Sequence, residues 1–126
     1  MDSCTCLNAW NILQNDPNSL LVDVRTKFEW ESVGIPSVDQ NQLLLNSIRL
    51  YPEMNLNERF ANFLFEVTKN KSYIFFLCKY GVRSLEATNM HNAQASEGYN
   101  LIDGFEGEAG WRKSGLPICS MTFEVL

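Results

Sequence analysis

The chain of 126 residues has the size of one ordinary domain, so we expect residues 1–126 to share a single hydrophobic core. A composition of 45% hydrophobic and 20% charged residues is that of a globular protein and excludes disordered, collagenous and coiled-coil chains. With 10 basic and 15 acidic residues the formal charge is −5, which argues against nucleic acid as a partner because phosphate binding needs a basic face.

Membrane insertion and secretion are also disfavoured. No apolar run approaches the roughly 20 residues that cross a bilayer. The N-terminal residues lack both a basic start and an apolar stretch, so we expect no signal peptide, no membrane partner and a cytoplasmic location. The cysteines are sparse and irregularly spaced, which favours free thiols in a reducing compartment over a disulfide framework. They are Cys4, Cys6, Cys78 and Cys119.

Short apolar runs alternate with segments of helical period along the chain, which is typical of a parallel sheet covered by helices on both faces. Caps, turn residues and runs of β-favouring residues give the boundaries. The elements predicted before residue 50 are a helix capped by Thr5, a turn at 15–18, a buried strand at 20–24, a short helix at 27–33, a turn at 34–36 and a second strand at 43–45.

The second half of the chain has the clearest patterns. Asn55 and Glu58 have the spacing of a capping box, and they predict a helix with one apolar face. That face consists of Leu56, Phe60, Phe63, Leu64 and Val67. Residues 73–77 form the strongest strand pattern in the chain, and residues 99–102 predict a last strand. Between them Ser84 is expected to cap a helix that runs to about Glu97, stops at Gly98 and buries Ala87, Met90 and Ala93.

The most informative segment is the strand that ends in Cys78, followed by a tight loop with Gly81 and then by a helix. A thiol in that place meets free backbone N–H groups and the positive end of the helix dipole, and both favour the thiolate. Lys79 and Arg83 add positive charge on either side. The same donors bind anions, so the pattern predicts a solvent-accessible nucleophilic sulfur that attacks an anionic, electrophilic substrate. A buried structural cysteine is the simpler alternative.

Three motifs follow one another along the chain. They are Leu21-Val22-Asp23-Val24-Arg25-Thr26 with Phe28-Glu29-Trp30, then Cys78-Lys79-Tyr80-Gly81-Val82-Arg83-Ser84, and finally Tyr99-Asn100-Leu101 with Gly104, Gly110-Trp111 and Gly115-Leu116-Pro117. Together they resemble the single-domain rhodanese-like sulfurtransferases, from the first helix to Pro117. The resemblance implies a three-layer α/β/α fold with a mostly parallel five-stranded sheet. It also implies that the loop lies at the carboxyl end of a central strand, where open α/β sheets hold their ligands.

The resemblance further implies a reaction. Cys78 takes the outer sulfur from thiosulfate or another small anionic donor, holds it as a persulfide and passes it to a thiol or to cyanide. A protein persulfide is an alternative donor. The implied substrate-binding residues, whose amides cradle the persulfide, are Lys79, Tyr80, Gly81, Val82, Arg83 and Ser84. Arg83 is expected to orient the loop or the donor's sulfonate, while Lys79 and Tyr80 occupy positions that set donor preference. Neither a metal nor an organic cofactor is implied.

Two other functions stay open on the sequence alone. The Cys-x4-Arg loop from Cys78 to Arg83 is one residue shorter than the Cys-x5-Arg loop of cysteine phosphatases and arsenate reductases of similar fold. The shorter loop favours transfer of sulfur over hydrolysis of a phosphate ester or reduction of arsenate. The other alternative is a non-catalytic binding or regulatory module, and the presence of both Cys78 and Gly81 counts against it.

The remaining polar residues are assigned supporting roles. Asp23 and Arg25 are expected to stabilise the end of the first strand beside the loop, with Glu29 four residues beyond Arg25 as a further member of this charged set. His91, the single histidine, is expected to be a surface or packing residue and not a base. Trp30 and Trp111 are likewise expected to pack in the core. Resolution of the persulfide by Cys4, Cys6 or Cys119 is a hypothesis without support from their spacing, and Cys4 and Cys6 lack the further ligands of a zinc site.

Overall fold

The computed structural model describes residues 2–121. In chain order the elements are β1 (Ser3–Cys4), α1 (Cys6–Asn15), β2 (Leu20–Asp23), α2 (Lys27–Val33), β3 (Ile35–Pro36), a 3-10 turn (Gln40–Gln42), β4 (Leu43–Leu45), β5 (Arg49–Leu50), β6 (Asn55–Leu56), α3 (Phe60–Thr68), β7 (Ile74–Leu77), α4 (Val82–Asn92), β8 (Gly98–Leu101) and β9 (Ile118–Cys119). No helix within residues 2–121 is long and apolar enough to span a bilayer.

Five strands form one sheet in the order β1-β8-β7-β2-β4, and every neighbouring pair is parallel. The sheet confirms the expected fold class. Val22 of β2 pairs with Phe76 of β7, which pairs in turn with Asn100 of β8. The strand that leads to Cys78 therefore lies in the middle of the sheet, and its carboxyl end opens between two neighbouring strands.

Helices cover both faces of the sheet, which explains why all residues of β2 and β7 are buried. Successive strand residues point to opposite faces, so each face has its own core. The core on one face joins α1 to the segment after β8 and includes Ala9, Leu13, Leu21, Phe75, Leu77, Phe105 and Trp111. The core on the other face joins α3 to α4 and includes Val22, Phe60, Leu64, Phe76, Cys78 and Ala87.

Most boundaries in the first half follow the sequence pattern. Thr5 caps α1 by accepting a hydrogen bond from the backbone N–H of Asn8 at 3.1 Å, and α1 ends where the turn at 15–18 begins. The helix at 27–33 and the strand at 43–45 lie where they were expected. The expected turn at 34–36 is wrong in part, because residues 35–36 pair with β9 as a short antiparallel ladder. Strand β1 has only two residues, too few to show an apolar pattern.

The capping box predicted at Asn55 and Glu58 is wrong. Asn55 and Leu56 instead extend as β6 and pair with β5, and α3 begins only at Phe60. Asn57 makes the turn between them, because its side-chain amide donates to the Ser47 carbonyl at 2.9 Å while its backbone carbonyl accepts from the N–H of Phe60 at 3.0 Å. This contact across the fold outweighs the local capping pattern. Phe63, expected on the buried face, is exposed.

The expected bounds of α4 are also wrong. The helix begins at Val82, directly after Gly81, so Ser84 lies inside its first turn and does not cap it. It ends at Asn92, whose side-chain amide donates to the Gly98 carbonyl at 2.9 Å and accepts from the Gly98 N–H at 3.0 Å. These bonds hold the start of β8 against the end of the helix. The buried face consists of Ser84, Ala87, Thr88 and His91, while Met90 is half-buried and Ala93 is exposed. His91 is therefore a packing residue.

Candidate active site

The Cys78 loop connects the central strand β7 to α4 by a sharp left-handed turn. Gly81 has φ +99°, a conformation that L residues rarely adopt, and a Cβ there would lie 2.3 Å from the carbonyl oxygen of Ile102. Gly104 packs against the other side of the loop, where a Cβ would lie 2.4 Å from the Lys79 carbonyl oxygen. These two glycines let the backbone curl tightly enough to return an N–H to the sulfur.

The sulfur of Cys78 accepts a hydrogen bond from the backbone N–H of Gly81 at 3.0 Å. A donor at this position favours the thiolate, in line with the expectation for a cysteine before a helix. Ser84 Oγ lies 3.1 Å from the same sulfur. Cys78 is 1% exposed, contrary to the expectation of a solvent-accessible nucleophile, so a reagent reaches the sulfur only after the loop or its neighbours move.

Asn100 of β8 is a site residue that the sequence analysis did not single out. Its Oδ1 accepts a hydrogen bond from the Ser84 hydroxyl, and its Nδ2 donates to the Gly81 carbonyl at 3.2 Å. Both Ser84 and Asn100 are buried. The available signal was a polar residue inside a strand whose neighbours are apolar, since a buried amide needs partners.

Arg83 is held by Glu29 of α2. Its two terminal nitrogens donate to the two carboxylate oxygens at 2.7 and 2.9 Å, in a bidentate pair that is about one-fifth exposed. Burial raises the pKa of Glu29, but the hydrogen bonds from Arg83 and Thr26 outweigh it and lower the pKa to about 2. The hydrogen bond with Glu29 likewise raises the pKa of Arg83. The expected grouping of Glu29 with Arg25 is wrong, because Glu29 reaches across to the loop.

Asp23 and Arg25 form a separate ion pair at the end of β2, with side chains 0% and 1% exposed. Arg25 donates to the Asp23 carboxylate at 2.7 Å and to the Gly34 carbonyl at 2.9 Å. Its guanidinium also lies 4.1 Å from the ring centroid of Phe105. The pair is buried, and through the contact of Arg25 with Phe105 it connects the end of β2 to the segment after β8.

The outer side of the loop is exposed and largely apolar. Tyr80 is 59% and Val82 78% exposed, and Lys79 Nζ lies 5.4 Å from the Tyr80 ring centroid. Two grooves adjoin Arg83, with volumes of about 380 and 630 Å³. Their lining includes Phe28, Tyr51, Met54, Leu85 and Asn89, which the sequence analysis did not associate with the site, and Cys78 is not part of it.

The other cysteines differ from Cys78 in their surroundings, and all four are free thiols. Cys6 is buried, which raises its pKa to about 12 together with smaller contributions from nearby negative groups, and its sulfur donates to the Gly104 carbonyl at 3.4 Å. Burial also raises the pKa of the half-buried Cys4. Cys119 is exposed on β9. Within residues 2–121 no three His, Cys, Asp or Glu side chains are grouped closely enough to hold a metal ion.

Residues 8–110 match the model of the rhodanese-like domain family. An uncharacterized protein of Rickettsia prowazekii is 40% identical over 114 residues, which cover 86% of this chain and 89% of that protein. The crystal structure of Rv0390 from M. tuberculosis matches with a TM-score of 0.78 at 32% identity, over 91% of this chain and 94% of that one. The solution structure of the polysulfide-sulfur transferase homodimer from Wolinella succinogenes shares the fold, with a TM-score of 0.65 at 20% identity over 97% of this chain and 80% of that one.

Proposed function

The chain belongs to the rhodanese-like domain family, and from this premise we propose that it is a sulfurtransferase in which Cys78 carries the transferred sulfur as a persulfide. The observation that carries the proposal is the hydrogen bond from the Gly81 N–H to Cys78 Sγ at the carboxyl end of the central strand. That donor stabilises negative charge on the Cys78 sulfur both before its attack on the donor and after the acceptor has removed the outer sulfur of the persulfide. The polysulfide-sulfur transfer of the Wolinella protein is of the same reaction class.

The proposed reaction has two half-reactions. In the first, the Cys78 thiolate attacks the outer sulfur of thiosulfate, a sulfur–sulfur bond forms on Cys78, and the sulfur–sulfur bond of the donor breaks to release sulfite. In the second, cyanide or a thiolate attacks the outer sulfur of the persulfide. Its electron pair forms the new bond to that sulfur, and the Cys78 thiolate leaves. No net oxidation of the enzyme occurs over the cycle, and kinetics of the ping-pong type follow.

The substrate of the first half-reaction is proposed to be a small anionic sulfur donor. Lys79 is exposed beside the loop and extends over Tyr80, where it meets an approaching anion. Arg83 contributes differently, because Glu29 occupies both of its terminal nitrogens. We therefore propose that Arg83 orients the loop. Lys79 and the backbone amides of residues 79–84 bind the anionic sulfur donor.

The burial of Cys78 favours one competing function, a binding or regulatory module in which the cysteine is only a core residue. The exposed apolar side chains of the loop, Tyr80 and Val82, fit a surface that recognises another protein. A binding module has no need of the hydrogen bond from the Gly81 N–H to Cys78 Sγ, whereas a sulfurtransferase uses it to stabilise the thiolate.

A thiosulfate:cyanide sulfurtransferase assay with the wild type and Cys78→Ser separates the two functions. The transferase predicts that Cys78→Ser loses at least about a thousandfold of the activity, since the nucleophile is removed. It also predicts that thiosulfate alone adds the mass of one sulfur atom to the wild type, in a form that a thiol reductant removes. Cys119→Ser, which removes an exposed thiol outside the site, is the matched control and keeps full activity. Equal rates for the wild type and Cys78→Ser would contradict the proposal, and equal rates no higher than that of the buffer would favour the non-catalytic module.

A further inference from the structure

We propose that Asn100 is a positioning residue that sets the direction of the Ser84 hydroxyl and thereby the proton affinity of Cys78. The inference rests on the proposed function and identifies how that function is controlled. Four groups form a closed ring of hydrogen bonds. Gly81 N–H donates to Cys78 Sγ, Asn100 Nδ2 donates to the Gly81 carbonyl, the Ser84 hydroxyl donates to Asn100 Oδ1, and Ser84 Oγ lies 3.1 Å from Cys78 Sγ.

The ring has a fixed direction because the Gly81 carbonyl can only accept. The amide nitrogen of Asn100 must face that carbonyl, so the amide oxygen must face Ser84. Ser84 has one hydroxyl proton, and Asn100 Oδ1 carries none, so the proton lies between them. Ser84 therefore turns its lone pairs toward Cys78 and accepts the S–H of the thiol.

Gly81 and Ser84 consequently act on the sulfur in opposite senses. The Gly81 N–H stabilises the thiolate, while the Ser84 lone pair stabilises the thiol. When Cys78 ionises, the Ser84 hydroxyl can turn to the sulfur only by leaving Asn100 Oδ1 without a donor in a buried place. Asn100 thus opposes the effect of the Gly81 N–H and couples a change in the hydrogen bonding of the sulfur to the rotation of one hydroxyl group.

The charged groups around the sulfur do not supply this control. Arg83 is paired with Glu29, and Asp23 is paired with Arg25. Lys79 extends outward beside Tyr80. None of these charged side chains takes part in the hydrogen bonds that join Gly81, Cys78, Ser84 and Asn100. Their effect on Cys78 is therefore common to every variant compared.

The test is a double-mutant cycle with the wild type, Ser84→Ala, Asn100→Ala and the double variant. The rate at which iodoacetamide alkylates Cys78 is followed across a pH series by peptide mass mapping, which gives the pH of half-maximal rate.

In the wild-type background Ser84→Ala removes the group that accepts the S–H of Cys78, and it lowers the pH of half-maximal rate. In the Asn100→Ala background the freed hydroxyl donates to the thiolate, so Ser84→Ala raises it. The two shifts differ by about one pH unit, the worth of one hydrogen bond to a charged group. Shifts of the same sign and size in both backgrounds would overturn the proposal.

Asn92→Ala is the matched control, because Asn92 likewise uses both ends of its side-chain amide, but it bonds the backbone of Gly98 at the opposite end of β8. It should lower the urea midpoint and leave the alkylation profile of Cys78 unchanged. If Asn100→Ala does not fold, Asn100→Ser replaces it in the cycle with the same reversal of sign expected. Alkylation needs no sulfur transfer, so the cycle gives its answer even if Cys78→Ser proves as active as the wild type and the proposed function fails.

Discussion

Cys6 and Cys78 are equally buried, each 1% exposed, and each lies within a few residues of a helix N-terminus, yet the backbone groups that contact their sulfurs differ in kind. Cys6 Sγ donates to the Gly104 carbonyl at 3.4 Å, whereas Cys78 Sγ accepts from the Gly81 N–H at 3.0 Å. A carbonyl partner stabilises the thiol, and an N–H partner stabilises the thiolate. Proximity to a helix N-terminus is therefore not sufficient to make a reactive cysteine.

The backbone decides the difference. Cys6 occupies the first turn of α1, and its side chain turns away from the free N–H groups toward the segment after β8. Cys78 precedes the helix by a loop that curls back through the left-handed Gly81 and presents an N–H to the sulfur. Because the return of the chain depends on two glycines that touch backbone atoms, the loop can be disrupted without changing any charged residue.

Gly81→Ala should have the largest effect, because it displaces the N–H that distinguishes the surroundings of Cys78 from those of Cys6. The new Cβ would clash with the Ile102 carbonyl, and the alanine would have to adopt a positive φ. We therefore expect a loss of about 3 kcal/mol in the free energy of unfolding. Sulfur transfer should fall at least about tenfold as the N–H leaves Cys78 Sγ. Urea unfolding and the thiosulfate assay measure the two effects.

Gly115→Ala is the control for that prediction. Gly115 also has a positive φ, +75°, but a Cβ there meets nothing within 4 Å. It should lose about 1 kcal/mol from backbone strain alone and keep its activity. Equal activity losses in the two variants would show that the contact of the loop with Ile102 is irrelevant to the site.

Glu29→Gln should have the next largest effect, because it leaves Arg83 without its carboxylate partner. We expect the free energy of unfolding to fall by about 1 kcal/mol at neutral pH, discounted for the partial exposure of the pair. The folded pKa of Glu29 is lowered from 4.5 to about 2, so its stabilising effect is complete above the unfolded value and disappears as the pH falls through the folded value.

The difference between the wild type and Glu29→Gln in urea unfolding should therefore shrink between about pH 5 and pH 2. Glu66→Gln, which removes the exposed carboxylate paired with Lys69, should differ little from the wild type at any pH. A wild-type advantage over Glu29→Gln that persists unchanged at pH 2 would contradict the assignment of this ion pair to the stability of the loop.

Cys6→Ala should have the smallest effect on the reaction. The substitution removes one buried sulfur, so we expect a loss of about 1 kcal/mol in stability and activity within twofold of the wild type. Steady-state transfer rates at equal folded concentration measure this. A large loss of transfer at unchanged stability would instead support Cys6 as a thiol that resolves the persulfide.

The parts of the site that the sequence predicted are those fixed by local patterns. Cys78 was found because a buried strand, a glycine and a helix follow one another within a few residues. The Glu29–Arg83 pair was missed because its members are 54 residues apart, while the local i,i+4 rule pointed to Arg25. Asn100 was missed for the same reason, since its partners come from the loop of a neighbouring strand.

The errors in the fold have a related cause. The spacing of Asn55 and Glu58 satisfies a capping box, but the pairing of β5 with β6 and the contact of Asn57 with Ser47 determine where α3 begins. Ser84 is a good cap by residue type, yet Gly81 already starts the helix and the hydroxyl is needed inside the site. Sequence patterns thus located the elements, while contacts between distant segments set their ends.

The most direct test of the account compares the alkylation rates of Cys78 and Cys6 in the same native protein, with iodoacetamide at slightly alkaline pH and peptide mass mapping. Both residues are equally buried, so burial alone predicts equal and very slow rates. The backbone partners, an N–H for Cys78 and a carbonyl for Cys6, predict that Cys78 reacts at least about tenfold faster and that Cys6 reacts only on unfolding. Equal rates for the two cysteines, or modification of Cys6 first, would contradict the central claim.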